Sequence, residues 1–124
     1  MTCENWFTNA PLEYRTNSFI TLRACIEFIS KKFPESQIIV ITYQKTTNTS
    51  FHQPSLKYFR EVEIKLCDEF SIPYIDFYNK SGLSNLGGTI AYYSNDLIHP
   101  NTKGNILWKN FVVAELRNLI AFRN

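Results

Sequence analysis

The sequence predicts an α/β fold, in which helices alternate with the strands of a parallel sheet. Two apolar, β-branched runs of strand length are separated by a helical pattern, and two further helical patterns flank them. Neither run alternates polar and apolar residues, which is typical of parallel strands covered on both faces. Aromatic residues make up 15% of the chain and glycines number only four, which favours helix–sheet packing over a turn-rich β-sandwich. We expect a single domain over residues 1–124 with right-handed crossovers.

Composition and charge exclude several classes of protein. A hydrophobic content of 44% over 124 residues is sufficient for a packed core, which excludes a disordered chain. No apolar run approaches the roughly 20 residues of a membrane span, and residues 1–6 lack the order of a signal peptide. The net charge of +2 is spread along the chain, without a basic patch. We expect a soluble protein, cytoplasmic as written, with neither a membrane nor nucleic acid as a partner.

The cysteines and histidines indicate neither a disulfide framework nor a metal site. Cys3, Cys25 and Cys67 are odd in number and widely spaced, unlike paired disulfides or zinc couplets. His52 and His99 have no cluster of acids or thiols beside them. The sequence therefore predicts reduced thiols, with Cys25 and Cys67 on the inward sides of helices, and no bound metal.

The first predicted helix covers residues 17–33. Asn17 or Ser18 caps its start, and Pro34 ends it because proline cannot continue a helix. Apolar residues recur along it at steps of three and four, which places them on one inward side. These residues are Phe19, Leu22, Ile26, Ile29 and Phe33.

Two strands and a second helix follow. The run 37–43 is the central strand, and the polar residues 45–53 form a surface loop at its carboxyl end. Residues 54–70 form a helix, and residues 72–77 form the next strand, near whose end lies Asp76. The inward side of the helix consists of Phe59, Val62, Leu66 and Phe70. Its charged residues form a largely solvated face: Lys57, Arg60, Glu61, Glu63, Lys65, Asp68 and Glu69.

The rest of the chain contains an irregular stretch, residues 78–100, and a final helix opened by Asn101 or Thr102. That helix buries Trp108, Val112, Leu116 and Leu119. Two strands are too few for an independently stable parallel sheet with helices on both faces. We therefore expect the N-terminal strands to be missing, so that a preceding segment or a second chain completes the sheet.

An acid and an imidazole lie three residues apart in the loop before the final helix. Asp96 and His99 belong to the string Asn-Asp-Leu-Ile-His-Pro-Asn. Histidine exchanges protons near neutral pH, provided that a partner fixes its tautomer. Asp96 suits that role, as in a Ser-His-Asp triad. The plainer alternative is an aspartate that caps a turn and a histidine that packs against its own helix.

The order and spacing of three segments resemble the SGNH, or GDSL-type, hydrolase family: Phe33-Pro34 before the run 38–41, the strand 72–76, and the loop 96–101. In that family an Asp-x-x-His-Pro sequence before the C-terminal helix supplies the acid and base of the triad. The resemblance implies a flavodoxin-like three-layer α/β/α fold, with Asp96 as the orienting carboxylate and His99 as the general base. It also implies hydrolysis of a small carboxylic ester, such as an O-acetyl group on a carbohydrate, without a cofactor. The resemblance covers about the latter half of a family domain.

Two parts of the family's machinery have no counterpart here: the Gly-Asp-Ser block with the nucleophilic serine, and the block with an oxyanion glycine. Asn5 is the nearest match to the family's oxyanion asparagine, although a shift of one residue puts Glu4 there. No serine lies in a strand-to-helix turn near glycine N–H groups, which is what exposes and activates a nucleophile. The serines considered are Ser50, Ser55, Ser71, Ser81, Ser84 and Ser94. We expect this chain alone to be inactive or nearly so.

Other candidate site residues have alternative interpretations. His52 faces the same cleft, or it is an exposed loop histidine, which is the favoured reading. Asp76 matches an acidic position common in the family, and a structural role in bonding loop backbone is favoured. Five aromatic residues line a substrate cleft or, as is more common, pack in the core and loops. They are Tyr74, Phe77, Tyr78, Tyr92 and Tyr93.

Three functions remain open. The first is an SGNH-type ester hydrolase, and the second is a truncated, non-catalytic SGNH-like domain that binds a saccharide or a protein partner. The third is an unrelated two-strand α/β interaction module in which the motif is a coincidence. An in-frame Gly-Asp-Ser block upstream of Met1 would favour the first function over the second.

Overall fold

The structure is a computed structural model that describes residues 12–48, 53–83 and 88–121. The chain divides into two compact units, and the division falls within the two strands. In the described ranges, the first unit comprises residues up to 40 and from 53 to 74, and the second comprises the remainder.

Helices and strands follow one another in the mixed order of an α/β protein, as the sequence predicts. The helices are α1 (Leu12–Lys32), α2 (Gln53–Phe70), α3 (Phe77–Lys80), α4 (Gly88–Tyr92) and α5 (Thr102–Ala121). The strands are β1 (Val40–Ile41) and β2 (Tyr74–Ile75). None of the described helices has an apolar stretch that meets the length needed to span a bilayer.

Strands β1 and β2 form a small parallel sheet. The Val40 amide donates to the carbonyl of Pro73 at 3.2 Å, and the Thr42 amide donates to the carbonyl of Ile75 at 3.0 Å. Donor and acceptor positions both advance by two residues, which is the pattern of a parallel pair. The observed strands are shorter than the predicted 37–43 and 72–77. Within the described residues each strand has one neighbour, so few residues make ladder bonds.

The core of the first unit lies between α1 and α2. Ile26 of α1 is buried with Val62 and Leu66 of α2, and Leu66 is completely inaccessible to solvent. Partly buried side chains surround these three residues: Phe19, Leu22, Ile38, Tyr58, Phe70 and Ile72. Burial of this kind contributes about 1.5–3 kcal/mol for each fully enclosed aliphatic side chain.

Helix α1 differs from the prediction at its start and along its inward side. It begins at Leu12, so the predicted caps Asn17 and Ser18 lie inside the helix. Asparagine and serine favour caps but also occur inside helices, so the helix continues through both residues. Ile29 and Phe33 were predicted to face inward but are 43% and 54% exposed, since the packed face ends at Ile26.

Helix α2 confirms the predicted span, and its buried face includes one charged residue. Glu63 was assigned to the solvated face but is buried. It lies four residues after Phe59 and three before Leu66, on the same side of the helix. Charge pattern alone therefore placed Glu63 wrongly, whereas helical geometry explains its burial.

The two described cysteines lie in different environments. Cys25 is exposed, which contradicts the prediction that it faces the core, because it lies about 100° around α1 from Ile26. Cys67 is buried as predicted. Burial, with smaller effects from the carboxylates of Glu63 and Asp68, raises the pKa of the Cys67 thiol to about 11.

We expect iodoacetamide at neutral pH to alkylate Cys25 quickly and Cys67 only after unfolding. Alkylation requires an accessible thiolate, and Cys67 is both enclosed and protonated. Mass spectrometry of tryptic peptides from a Cys3→Ser variant, with and without denaturant, measures the two rates. Equal rates in the native protein would contradict the burial of Cys67.

The second unit contains two short helices where the sequence predicted irregular structure. Asp76 caps α3, because its Oδ1 accepts a hydrogen bond from the Asn79 amide at 3.3 Å. Gly82, with φ of +88°, follows the end of α3 in the left-handed region that glycine favours. Helix α4 lies later in the same stretch. Local capping and a left-handed glycine therefore organise part of residues 78–100.

Helix α5 begins as predicted. The Asn101 side chain accepts a hydrogen bond from the Gly104 amide at 2.9 Å, which is the geometry of an N-cap. Val112 is buried, but Trp108, which was predicted to be buried, remains 38% exposed. Its ring still contacts the buried Phe77 in a tilted arrangement, with ring centroids 5.8 Å apart. A large aromatic residue at a helix surface commonly divides its area in this way.

Candidate functional site

The predicted acid and base lie in a closed loop between α4 and α5, which we call the acid–base loop (residues 93–100). Tyr93 and Pro100 form an antiparallel bridge at its ends. Inside the loop, the Ser94 amide donates to the carbonyl of His99 at 2.8 Å, and the Leu97 amide donates to the carbonyl of Ser94 at 2.9 Å. Leu97 has φ of +61°, an unusual conformation for a side chain of its size. These bonds make the loop a tight turn with a defined backbone.

The structure brings Asp96 and His99 together. Oδ2 of Asp96 is hydrogen-bonded to Nδ1 of His99. The other carboxylate oxygen, Oδ1, accepts the backbone amides of Ile98 at 2.9 Å and of His99 at 3.0 Å. The His99 side chain is 78% exposed, so its ring is accessible from solvent. When Nδ1–H donates to the carboxylate, Nε2 carries the lone pair that accepts a proton.

Hydrogen bonds hold the pKa of Asp96 at about 2, below its ordinary value of 3.8. The largest cause is the bond from the His99 side chain, followed by the backbone amides of His99 and Ile98. Each of these donors favours the charged form of the carboxyl group. Asp96 is therefore an anion throughout the range in which histidine exchanges protons.

We expect an NMR titration of the Asp96 carboxyl carbon to show protonation near pH 2. Because the pKa is lower in the folded state, the stability contributed by the ionised form is fully present above the unfolded pKa and is lost as the pH falls through about 2. In a His99→Ala variant, the titration should move up towards pH 3.8, since the largest cause is removed. A midpoint near 3.8 in the unmodified protein would contradict the paired geometry.

The sequence interpretation missed three residues that hold the acid–base loop, since two of them lie in the predicted surface loop 45–53 and the third, Gln44, directly precedes it. Alternate side chains after β1 donate to three consecutive backbone carbonyls. The bonds run from Gln44 Nε2 to the Ile98 carbonyl at 2.8 Å, from Thr46 Oγ1 to the Leu97 carbonyl, and from Asn48 Nδ2 to the Asp96 carbonyl at 2.7 Å. The signal available in the sequence was a polar side chain at every second position, the spacing that puts side chains on one face of an extended segment.

The remaining candidate residues divide into those that the structure describes and those that it does not. Asn5, His52, Ser50 and Ser84 lie outside the described residues. Asp76 has the structural role that was favoured, since its carboxylate caps α3 and accepts the Thr42 hydroxyl at 3.3 Å. Within the described ranges, no serine hydroxyl is hydrogen-bonded to His99, and no group of three or more metal-ligating side chains is placed to hold an ion.

Most of the aromatic candidates are core residues. Phe77, Tyr78 and Tyr93 are buried, whereas Tyr74 is 37% exposed. Burial and the nearby Tyr43 raise the pKa of Tyr93, whose hydroxyl donates to the carbonyl of Lys45 at 2.7 Å. Tyr92 lines an open pocket of about 730 Å³ against α5, together with Lys103, Ile106, Leu107, Asn110 and Phe111. Neither Asp96 nor His99 is among the residues that line this pocket.

Comparison with known proteins relates the fold, but not the sequence, to an esterase. No family model matches the chain, and no curated protein matches it significantly. One similar solved structure is the esterase domain of the ZfL2-1 ORF1 protein from the zebrafish ZfL2-1 retrotransposon, with a TM-score of 0.71 and 21% identity. The fold of this chain is therefore similar to the fold of that esterase domain. The match covers 83% of this chain and 63% of that domain.

A second solved structure, also 21% identical, has a TM-score of 0.70 and is matched over 81% of this chain and 51% of its own length. The chain therefore spans about half of one structural neighbour and less than two thirds of the other. At this level of identity the likeness extends to the fold alone.

Proposed function

We propose that this chain is the C-terminal part of an SGNH-type hydrolase domain with a flavodoxin-like three-layer α/β/α architecture. Two findings support the proposal: the esterase-like fold and the small parallel sheet. The Asp-x-x-His-Pro motif lies directly before α5, where the family has it. The observation that carries the functional proposal is the hydrogen bond between Asp96 and Nδ1 of His99 on an exposed loop.

In this proposal, His99 is the general base and Asp96 is the carboxylate that orients it. Nε2 of His99 takes the proton of a serine hydroxyl as the hydroxyl oxygen attacks the ester carbonyl. The positive charge that forms on the imidazole is stabilised by the Asp96 carboxylate, which stays ionised because its pKa is about 2. His99 then returns the proton to the leaving alkoxide, and in the second half-reaction it takes a proton from water. No step requires a cofactor.

In this proposal the nucleophilic serine lies outside these 124 residues. It belongs either to a preceding segment of the same protein or to a second chain. The same polypeptide would complete the sheet. The described residues form a sheet of two strands, whereas about three or more are needed for independent stability. The chain also spans only about half to two thirds of its structural neighbours. Asn5 is the proposed third oxyanion donor.

The proposed substrate is a small carboxylic ester, such as an O-acetyl group on a carbohydrate. An exposed imidazole suits a substrate that approaches from solvent, and His99 is 78% exposed. The acyl and alcohol groups that the enzyme accepts depend on loops that surround the completed site. Short-chain aryl esters are therefore suitable probes, because they test the acid–base pair without demanding the natural alcohol.

The decisive experiment compares two proteins on a short-chain aryl ester: the 124-residue chain, and a version extended upstream to include any in-frame Gly-Asp-Ser block. Each is made with and without His99→Ala. We expect hydrolysis above background only in the extended protein, and its loss in the extended His99→Ala variant, since a triad without its base keeps only residual activity. Equal rates in all four proteins would contradict the triad assignment.

A second candidate function is favoured by the lack of a serine bonded to His99 in the described residues. It is a non-catalytic SGNH-like domain that binds a saccharide or a protein partner. The absence of a Gly-Asp-Ser block upstream, together with saturable binding of an acetylated oligosaccharide by an inactive extended protein, would support this function instead.

A further inference from the structure

Some backbone carbonyls of the acid–base loop accept hydrogen bonds from residues outside the loop. A buried or half-buried carbonyl requires a hydrogen-bond donor. The carbonyls of residues 96–98 all accept side-chain bonds from the segment that follows β1. We call Gln44, Thr46 and Asn48 the three donors. Their order along the chain is opposite to that of the carbonyls, so the two segments run antiparallel.

Thr46 is the central member of the three donors and the most enclosed. Its residue surface is 1% exposed, and its hydroxyl has a defined direction. Oγ1 accepts the Asn48 amide at 3.1 Å and donates to the carbonyl of Leu97. Leu97 is the loop residue with φ of +61°, a conformation that costs a non-glycine residue about 1–2 kcal/mol. The hydroxyl of Thr46 is therefore bonded at the point where the loop is most strained.

The acid–base loop also donates a hydrogen bond to the segment that contains the three donors. Tyr93, at the start of the loop, donates its hydroxyl to the carbonyl of Lys45, which lies between Gln44 and Thr46. Tyr93 is 4% exposed, and its bond to Lys45 is partly buried. Bonds thus run in both directions between the segment after β1 and the loop that carries Asp96 and His99.

We propose that Gln44, Thr46 and Asn48 are positioning residues that hold the acid–base loop in the turn that aims Asp96 at His99. The inference rests on the proposed function in one respect, namely that the aimed pair performs acid–base chemistry. The mechanism is geometric. If the carbonyls of residues 96–98 are released, the peptide planes of the turn rotate, and the amides of Ile98 and His99 leave the Asp96 carboxylate to which they donate.

The test uses the conservative pair Thr46→Val and Thr46→Ser in the full 124-residue chain. Valine has nearly the shape of threonine without its hydroxyl, whereas serine keeps the hydroxyl. The matched control is Thr47→Val, which makes the same change in the next residue, whose hydroxyl takes no part in the three bonds. The readouts are the low-field NMR signal of the His99 Nδ1 proton and the pH at which Asp96 titrates. Circular dichroism monitors folding.

We expect Thr46→Val to abolish the Nδ1 proton signal and to raise the titration midpoint of Asp96 from about 2 towards 3.8. Thr46→Ser should retain both properties, and Thr47→Val should leave them unchanged. If Thr46→Val does not fold, the half-buried Gln44→Met and Asn48→Ala variants decide the question by the same readouts. An unchanged signal and midpoint in folded variants of the three donors would overturn the inference.

Measurements of ester hydrolysis distinguish a failure of this inference from a failure of the proposed function. In the upstream-extended protein, Thr46→Val should lower kcat by roughly 10²-fold with KM little changed, because misplacing a catalytic group by about 1 Å has an effect of that size. If the NMR readouts respond but no extended protein hydrolyses an ester, the positioning role stands and the proposed hydrolase activity fails. If hydrolysis depends on His99 but neither readout responds to Thr46→Val, the function stands and the positioning role fails.

Discussion

Replacing Asp96 by asparagine is expected to lower kcat for ester hydrolysis by roughly 10⁴-fold in the upstream-extended protein. Asparagine keeps the size of the side chain but loses the charge that stabilises the imidazolium. Its amide group can also present a donor to Nδ1, which favours the tautomer with the proton on Nε2, the wrong nitrogen for a base. The measurement is the rate on a short-chain aryl ester under saturating conditions, for which KM should change much less than kcat.

The matched control for this change is Asp68→Asn on the exposed side of α2, which removes one negative charge from a residue with no role in the proposed mechanism. It should leave kcat unchanged. A decrease of less than tenfold in Asp96→Asn would show that the carboxylate does not orient a catalytic base. A similar decrease in both variants would indicate a general effect of charge.

Replacing Gly104 by alanine is expected to destabilise the protein by about 2 kcal/mol, although the same change in an ordinary helix stabilises by about 1 kcal/mol. A Cβ at position 104 would overlap the carbonyl oxygen of Tyr92 and lie 3.0 Å from Cβ of Pro100. The Tyr92 carbonyl cannot retreat easily, because it accepts the Asn101 amide at 3.0 Å. Overpacking costs about 1–3 kcal/mol and more where backbone must move, so the clash exceeds the gain in helix propensity.

Urea denaturation monitored by circular dichroism measures this effect. Asn105→Ala is the control, since it changes an exposed position in the same turn to the best helix former and should be neutral or slightly stabilising. Equal stability of Gly104→Ala and the unmodified protein would mean that the start of α5 does not pack against the Tyr92 carbonyl. Because Pro100 joins the acid–base loop to α5, the destabilised variant should also lose the His99 Nδ1 proton signal.

The helices were largely predictable because their signals are local. The period of apolar residues and the prolines located α2 almost completely and the end of α1, and Asn101 identified the start of α5. The start of α1 was not predictable from caps, since residues with high cap preference also occur inside helices when the surrounding sequence permits. The lengths of the two strands were overestimated, because the number of residues that make ladder bonds depends on which partner strand is present.

Burial within a helix was less predictable than its boundaries. Glu63 looked exposed by charge and is buried, whereas Ile29 and Cys25 looked buried by pattern and are exposed. An apolar stripe indicates which face of a helix is able to pack. How far packing extends along that face depends on the neighbouring helix or strand. In the first unit, packing of α1 on α2 ends near Ile26.

The sequence by itself determined the three long helices, the approximate positions of the two strands and the pairing of Asp96 with His99, because apolar periodicity and the meeting of an acid and a base three residues apart in a turn are local properties. Tertiary structure alone decided what holds that turn. Gln44, Thr46 and Asn48 lie about fifty residues from the carbonyls they bind, and each is individually an ordinary polar residue. Hydrogen bonds between distant segments depend on the fold that brings donor and acceptor within 3 Å, and no local pattern encodes that distance.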